Sequence, residues 1–408
     1  MSKEHSFPKH SIDDLVAMGV ADDSGVLLAT LNAALIAAPV PDIADQLLAR
    51  IPSGSKLLVE ISSTLGSQVI EHIRSSQRSS KFDIESQDRL ATALLDQSNR
   101  LADLGRFKSA LNTAEEAVRI RQQLADRDPE THLPGLATAL STLSMRQSEL
   151  GMFRNALFAI EEAARIRRRL ATKDPTTYLP DLAATLSNLS NRLSVRGNRS
   201  GALETISESI RYFRSLCDAN PELHRPHLAA TLNNLSNRLS DMGMENEALQ
   251  PIEESVEIRR RLAEFDPVLY LPSLARSLNN LSNRLASLGK IPRMLVAIEE
   301  CVSIRRELAD SDPARYLPEL AKSLSNLTIR LLEIGRLSDA LETGNESVFI
   351  FRNLLSARPE LFRRNLIIAQ SNLSSAAKRI STDRPHKIVG QTENDHPMEK
   401  NYSSRRLS

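Results

Sequence analysis

One glycine returns every 46 residues through most of this 408-residue chain. Two proline columns keep the same 46-residue step. The glycines are Gly105, Gly151, Gly197, Gly243, Gly289 and Gly335. The prolines are Pro129, Pro175, Pro221, Pro267, Pro313 and Pro359 in one column, and Pro134, Pro180, Pro226, Pro272 and Pro318 in the other. Six copies without an insertion predict a solenoid, in which each repeat packs mainly against its neighbours.

Each copy carries two stretches of apolar residues at helical spacing. In the fourth copy the first stripe consists of Leu228, Leu232, Leu235 and Leu239. This spacing predicts an amphipathic helix, and Gly243 is expected to end it. A second stripe over residues 248–262 predicts a return helix that Asp266 and Pro267 stop, and the segment VLYLP is expected to connect to the next copy. The repeat is therefore predicted to be a helical hairpin, with helices of about 15 to 20 residues.

A few residues, most of them small, occupy fixed positions of the hairpin. They are Ser236 in the first helix, Gly243 in the turn, and Ala248, Leu249 and Ser255 in the second helix. At these positions the chain resembles the tetratricopeptide repeat family, and its units are similar to the extended repeats of kinesin light chains and of bacterial and fungal signalling arrays. The resemblance implies an all-α fold, a right-handed α-solenoid or superhelix, which binds protein segments in its concave groove.

The period also divides the chain. A solenoid is predicted over residues 88–381, with a C-terminal capping helix at 366–380. Residues 1–85 do not follow the repeat and are predicted to form a small helical region with a polar linker. Residues 382–408 lack periodicity and are predicted to be disordered. The six repeats start at Leu90, Leu136, Leu182, Leu228, Leu274 and Leu320.

Composition restricts the function classes. The 52 Lys and Arg residues almost balance the 51 Asp and Glu residues, so net charge does not suggest a nucleic-acid or anionic membrane partner. Aromatic residues are 4% and tryptophan is absent, which disfavours base-stacking platforms. The two cysteines, Cys217 and Cys301, fit a reducing compartment. Without a secretory signal pattern or a membrane-length apolar run, we expect a cytoplasmic protein.

No arrangement typical of catalysis or of cofactor or metal binding is found in the sequence. His132 and His224 share a column with aromatic residues and are expected to pack the turn between repeats, not to bind a metal. The segment IPSGSKLL lacks the glycine and the hydroxyl residue of a phosphate-binding loop. We therefore expect a protein that is not an enzyme and needs no cofactor. The aromatic members of the column are Tyr178, Tyr270, Tyr316 and Phe362.

Charged residues also form columns. One arginine column lies in the first helices and one glutamate column in the second helices, and we expect these two to pair as structural ion pairs. An alternative is a basic ladder for an acidic ligand. The arginine-rich ends of the second helices, such as Arg167 to Arg169, leave nucleic-acid binding as a less favoured alternative. The paired columns are Arg100, Arg146, Arg192, Arg238, Arg284 and Arg330, and Glu116, Glu162, Glu208, Glu254, Glu300 and Glu346.

Two asparagine columns run along the first helices. By the family resemblance, Asn191, Asn237 and Asn283 face a ligand in the groove, and a second column contains Asn188, Asn234 and Asn280. An amide both donates and accepts, so a row of amides can hold an extended peptide backbone. The alternative is that these amides only link neighbouring first helices. Lysines that grip carboxylates in chaperone-binding members are replaced here by Ser187, Asn233, Asn279 and Ser325.

The sequence therefore predicts a scaffold or adaptor that binds a protein or peptide ligand, with a role in signalling as one hypothesis. The three central repeats, residues 182–319, are the expected footprint, because Met145 and Ile329 interrupt the asparagine row outside them. A purely structural or self-associating array is the alternative from another class.

Overall fold

The fold comes from a computed structural model, which describes residues 32–33, 35–37, 40–51, 58–77, 83–357 and 359–383. Within these ranges every regular element is a helix. The expected disordered tail, residues 382–408, lies outside them except for its first two positions, which continue a helix. Most of the N-terminal region before residue 40 also lies outside them. None of the described helices combines the length and the apolar character needed to cross a membrane.

Among the helices whose bounds the structure describes, α1 (Pro41–Arg50) and α2 (Val59–Gln77) precede the repeats. Every later hairpin pairs a first helix with a second helix. The first helices are α3 (Ile84–Asp103), α5 (Pro129–Glu149), α7 (Pro175–Val195), α9 (Pro221–Asp241), α11 (Pro267–Ser287) and α13 (Pro313–Glu333). The second helices are α4 (Phe107–Arg127), α6 (Phe153–Lys173), α8 (Arg199–Ala219), α10 (Glu245–Phe265), α12 (Ile291–Ser311) and α14 (Leu337–Ala357). A last helix, α15, spans Pro359–Asp383.

The first helices from α5 onward begin earlier than the sequence predicted. In α11, the carboxylate of Asp266 accepts a hydrogen bond from the backbone N–H of Leu269 at 3.0 Å, and Pro267 occupies the first helical position. Aspartate caps and proline at the first position both favour a helix start. The segment VLYLP is therefore the first turn of the helix and not a connection between repeats. Pro272 lies inside the helix, which reaches 21 residues.

The glycine column ends the first helices as predicted. Gly243 has φ +79°, a conformation that disfavours side chains other than glycine. The N–H groups of Gly243 and Met244 donate to the carbonyls of Ser240 and Leu239, at 2.9 and 3.0 Å. This closure of the last helical turn reverses the chain and lets the second helix pack back on the first.

The chain divides into two compact units, residues 1–304 and 305–408. In the first unit, small residues let the helices of a hairpin approach closely. Ser255 is fully buried, and its hydroxyl donates to the carbonyl of Ala229 at 2.7 Å. Helix α2 packs on α3 through a cluster that contains Leu65 and Leu94, so the N-terminal helices share the core of the first repeat.

The second unit contains the hairpin of α13 and α14, and α15 packs against both helices. The side-chain amide of Asn372 in α15 donates to the hydroxyl of Ser325 in α13 at 2.9 Å. Helix α15 thus occupies the place of a seventh first helix, beginning at Pro359, earlier than the predicted residue 366.

Candidate functional site

The first helices of the first unit form a closely spaced layer. Helix α9 touches both α7 and α11 along the chain of repeats. The second helices of these repeats reach one another through long arginine side chains instead. In a curved stack of hairpins, the helices on the inner side lie closer together than those on the outer side. The first helices are therefore the inner layer. The asparagine and arginine columns of the sequence both lie on this layer.

The column of Asn234 and Asn280 links neighbouring first helices. The amide of Asn234 donates to the hydroxyl of Ser187 at 3.2 Å, and the amide of Asn280 donates to Oδ1 of Asn233 at 3.0 Å. Each bond joins two helices that lie one repeat apart. For this column the structure agrees with the alternative of hydrogen bonds between helices. Ser187 and Asn233 are the buried acceptors of these bonds.

The column of Asn191 and Asn237 behaves differently. Both side chains are half-buried, and neither amide forms a hydrogen bond within the described part of the chain. Asn283, the third member, is also half-buried and forms interactions within the chain, and its backbone carbonyl accepts from the hydroxyl of Ser287. Asn188, by contrast, is exposed. Two amides on adjacent helices of the inner layer therefore keep free donors and acceptors.

The arginine of the first helices follows each of these asparagines by one residue. Arg192 donates to the hydroxyl of Ser148, Arg238 lies 3.5 Å from Asp241, and Arg284 lies 3.2 Å from Glu245. Burial lowers the pKa of the Arg192 and Arg238 guanidinium groups from their usual value. Partly buried cations with nearby acceptors serve mainly to fix the packing of the layer.

The glutamate column has partners other than those expected. Glu208 pairs with Arg168 at 2.7 Å and Glu254 pairs with Arg214 at 2.9 Å, each across two adjacent second helices. Glu300 pairs with Arg260 in the same way, at 2.7 Å. The predicted pairing of Glu208, Glu254 and Glu300 with Arg192, Arg238 and Arg284 is therefore replaced by ion pairs that join residues 40 positions apart. The reason is that a second helix lies beside the next second helix, where a long arginine reaches the glutamate.

A third set of arginines, near the ends of the second helices, has a structural role that the sequence did not predict. Arg167 donates to the carbonyl of Asp181 at 3.2 Å and also to the hydroxyl of Thr185, both in the next first helix. Arg259 repeats these bonds with the carbonyl of Ser273 at 2.8 Å and with the hydroxyl of Ser277. We call this contact the arginine bridge.

The same bonds occur in the second unit, from Arg305 to Glu319 and Ser323. The 46-residue register places Arg121, Arg167, Arg259 and Arg305 at one position. Arg167, Arg259 and Arg305 form the bridge, whereas Arg121 bonds to Asp88 and Thr92 in the first helix of its own hairpin. Phe213 and Phe351 replace arginine at that position in the third and sixth repeats. Burial lowers the pKa of Arg259 to about 10, so its guanidinium stays charged at neutral pH.

Two histidines of the predicted aromatic column, His132 and His224, are buried. They lie within the first turn of a first helix and not in a turn between repeats, because the helices begin earlier than expected. Among the described residues, no group of three or more His, Cys, Asp or Glu side chains is arranged to hold a metal ion.

The architecture defines the class of protein, an α-solenoid of helical hairpins with a 46-residue repeat. The sequence model of the tetratricopeptide repeat matches residues 228–267 and 274–314. A model described as anaphase-promoting complex subunit 5 matches residues 72–133 and 129–190. The chain is a repeat protein of the tetratricopeptide type. A search of curated protein sequences finds no match.

Solved structures with similar folds come from several proteins. BtubC (BKLC) from P. vanneervenii is 17% identical, with 72% of this chain and 99% of that chain covered and a TM-score of 0.45. A putative kinesin light chain of Podosopora anserina is 17% identical, with 55% and 98% covered and a TM-score of 0.41. A Rap protein complexed with competence and sporulation factor is 13% identical, with 90% and 100% covered and a TM-score of 0.44.

Proposed function

We propose that this protein is a cytoplasmic, non-catalytic scaffold or adaptor that binds an extended segment of a partner protein along the first-helix layer. Asn191, Asn237 and Asn283 form the contact row. The observation that carries the proposal is the state of Asn191 and Asn237, whose half-buried amides form no hydrogen bond within the described part of the chain. Amides that are held on a rigid helix and lack partners are suited to bond a peptide backbone.

The spacing of the row agrees with an extended ligand. Packed helices lie about 8–10 Å apart, and an extended peptide rises about 3.3 Å per residue. Adjacent asparagines of the row therefore meet backbone groups about three residues apart. Each bond contributes only about 0.5–1.5 kcal/mol, so the row needs several bonds acting together. A ligand of about seven residues spans all three asparagines.

The arrangement of the arginines supports a protein ligand over a nucleic acid. Arg168, Arg214 and Arg260 are engaged by glutamates of the neighbouring second helices. Arg167 and Arg259 are buried in bridges to the next first helix. Cations that are already paired inside the protein release few counterions when a polyanion approaches, so they add little affinity for phosphate.

The test is a selection of binding peptides from a random display library, followed by measurement of Kd for one selected peptide. We expect Asn191→Ala with Asn237→Ala to weaken binding about tenfold or more, because two backbone bonds are lost. Methylation of single backbone nitrogens in the peptide is expected to weaken binding at about every third position. Asn155→Ala, at an exposed position of the second helix α6 and outside both asparagine columns, is the matched control and should leave Kd unchanged.

Stability measurements separate the two asparagine columns. Asn234→Ala and Asn280→Ala each remove a bond between helices and should cost about 0.5–1.5 kcal/mol. Asn191→Ala and Asn237→Ala remove no bond within the described residues and should be nearly neutral. Equal Kd values for the wild type and the Asn191→Ala, Asn237→Ala variant would contradict the proposal.

A further inference from the structure

The junction between the third and fourth repeats lacks the arginine bridge. Phe213 takes the place of the arginine, and its ring stacks on His227 with ring centres 5.6 Å apart and an angle of 9° between the planes. His227 lies where the preceding junction has Asp181. Asn220 lies where α5, α7, α11 and α13 have an aspartate cap. A charged and hydrogen-bonded contact is thus replaced by an aromatic stacking contact.

A cavity of about 600 Å³ lies at this junction, between the starts of α7 and α9 and the end of α8. Its volume lies in the range of sites that hold small organic molecules. Much of the lining is apolar, and the polar lining includes His224. The apolar and aromatic wall includes Leu179, Ala184, Phe213, Leu216 and Leu223.

His224 gives this cavity a polar group without a partner. The residue is 7% exposed, and its buried Nδ1 has no hydrogen-bond partner in the described part of the chain. Burial, followed by the nearby His227, lowers the pKa of His224, which favours the neutral ring. The equivalent residue in the neighbouring repeats is Tyr178 or Tyr270. Buried polar atoms are nearly always satisfied, so an unpaired one at a cavity calls for a binding partner.

We propose that this junction is a binding site for a neutral aromatic ring that carries one hydrogen-bonding group. The ring packs among Leu179, Ala184 and Leu216, and its polar group bonds to the His224 imidazole. A neutral ligand is favoured because the arginine is absent and because Arg167 lies 3.6 Å from Asp181, the one carboxylate of the lining. His224 precedes Asn237 by 13 residues in α9, or about 20 Å along the helix, so this site is separate from the asparagine row.

The site is tested with p-cresol and toluene as probes, which differ by one hydroxyl group. Binding to the full chain is followed by NMR shifts of the histidine and leucine side chains. A capped Gly-Tyr-Gly peptide carries the same ring on a protein segment. The matched variant is Phe213→Arg with His227→Asp, which recreates the residues of the Arg167 junction, where Thr231 already stands in the place of Thr185. It replaces two aromatic side chains of the cavity lining with charged ones and keeps the Thr231 bond to the preceding turn.

We expect p-cresol to shift the signals of His224 and Leu216, toluene to bind at least tenfold more weakly, and the variant to lose binding by at least tenfold. Tighter binding of the peptide than of p-cresol points to a side chain of a partner protein, and the reverse points to a free small molecule. Unchanged binding in the variant, equal affinity for both probes, or no shift up to millimolar p-cresol overturns the proposal. Asn191→Ala with Asn237→Ala should leave p-cresol binding unchanged, so this result is independent of the peptide row.

Discussion

Two neighbouring junctions between repeats have the same backbone arrangement but different side-chain contacts, one formed by an arginine and the other by aromatic rings. Between the second and third repeats, the buried Arg167 bonds to the carbonyl of Asp181 and to the hydroxyl of Thr185. Between the third and fourth repeats, Phe213 stacks on His227. Both threonines keep the same bond to the preceding turn, 2.8 Å for Thr185 and 2.9 Å for Thr231. The backbone arrangement is therefore maintained while the side-chain contact changes.

In a protein built from repeats, the positions where one copy differs from the others carry the most information about function. A residue that recurs in every copy satisfies a requirement of every junction, such as the glycine turn. Where one copy has a different residue at a repeated position, that requirement does not apply there, or a different requirement applies. Phe213 departs at the junction where a cavity of about 600 Å³ opens. The arginine bridge of the regular junctions therefore serves construction, and the aromatic junction is where we propose the additional site for an aromatic ring.

The largest expected effect comes from the aromatic junction. Phe213 is 2% exposed, and Phe213→Ala should lower the free energy of unfolding by about 3–5 kcal/mol, through lost burial and an enlarged cavity. Urea unfolding followed by circular dichroism measures the change. Phe158→Ala on α6, where the side chain is 72% exposed, is the control and should be nearly neutral. Similar losses in both variants would show that Phe213 does not hold this junction together.

The regular junction should respond less strongly. Arg167→Met keeps much of the apolar stem and removes the bonds to Asp181, Thr185 and Thr138, so we expect a loss of about 1.5–3 kcal/mol. The same urea experiment applies. Arg165→Met on the exposed face of α6 is the control, since among the described residues it pairs only with Glu162 in the same helix. A neutral result for Arg167→Met would mean that the arginine bridge does not stabilise the junction.

Much of the fold could be predicted from the period alone. The glycine column fixed the turns, and the apolar stripes fixed the two helices of each hairpin. The start of the first helices was missed, because Asp266 and Pro267 mark the end of one helix and also the start of the next. The Asp266 cap and Pro267 start α11, and Pro272 lies in its second turn without ending the helix.

The site could be predicted only in part. The sequence gives each column its register and cannot say which neighbour a side chain reaches. The sequence contains several arginines that could pair with Glu254, and we predicted Arg238. In the structure Glu254 pairs with Arg214 of the preceding second helix. The amides of Asn234 and Asn237 lie three residues apart on one helix, yet only Asn234 reaches the neighbouring helix within the described residues. Which partner a side chain reaches depends on the distances between helices, and the repeat period of the sequence does not give these distances.

Exchanging the two junctions should have a small effect on stability. Phe213→Arg with His227→Asp should stay within about 1 kcal/mol of the wild type, since the new arginine finds the carbonyl of residue 227 and the Thr231 hydroxyl. Thermal unfolding of both proteins provides the comparison. Adding Thr231→Val removes the hydroxyl acceptor and should lower stability further. A loss of more than about 2 kcal/mol in the exchanged junction alone would show that the two junctions differ in backbone as well as in side chains.

The smallest expected effect is a pH dependence at the aromatic junction. The pKa of His224 lies below its ordinary value of 6.5 in the folded chain, because of burial first and His227 second. As pH falls through about 6.5, the unfolded chain binds a proton that the folded chain does not, so stability decreases. The decrease ends once pH passes below the folded pKa, where both states are protonated. Urea midpoints between pH 7.5 and 5 should therefore fall more steeply for the wild type than for His224→Tyr, which carries the residue found at Tyr178. Parallel curves would show that His224 titrates alike in both states and is not held neutral by the junction.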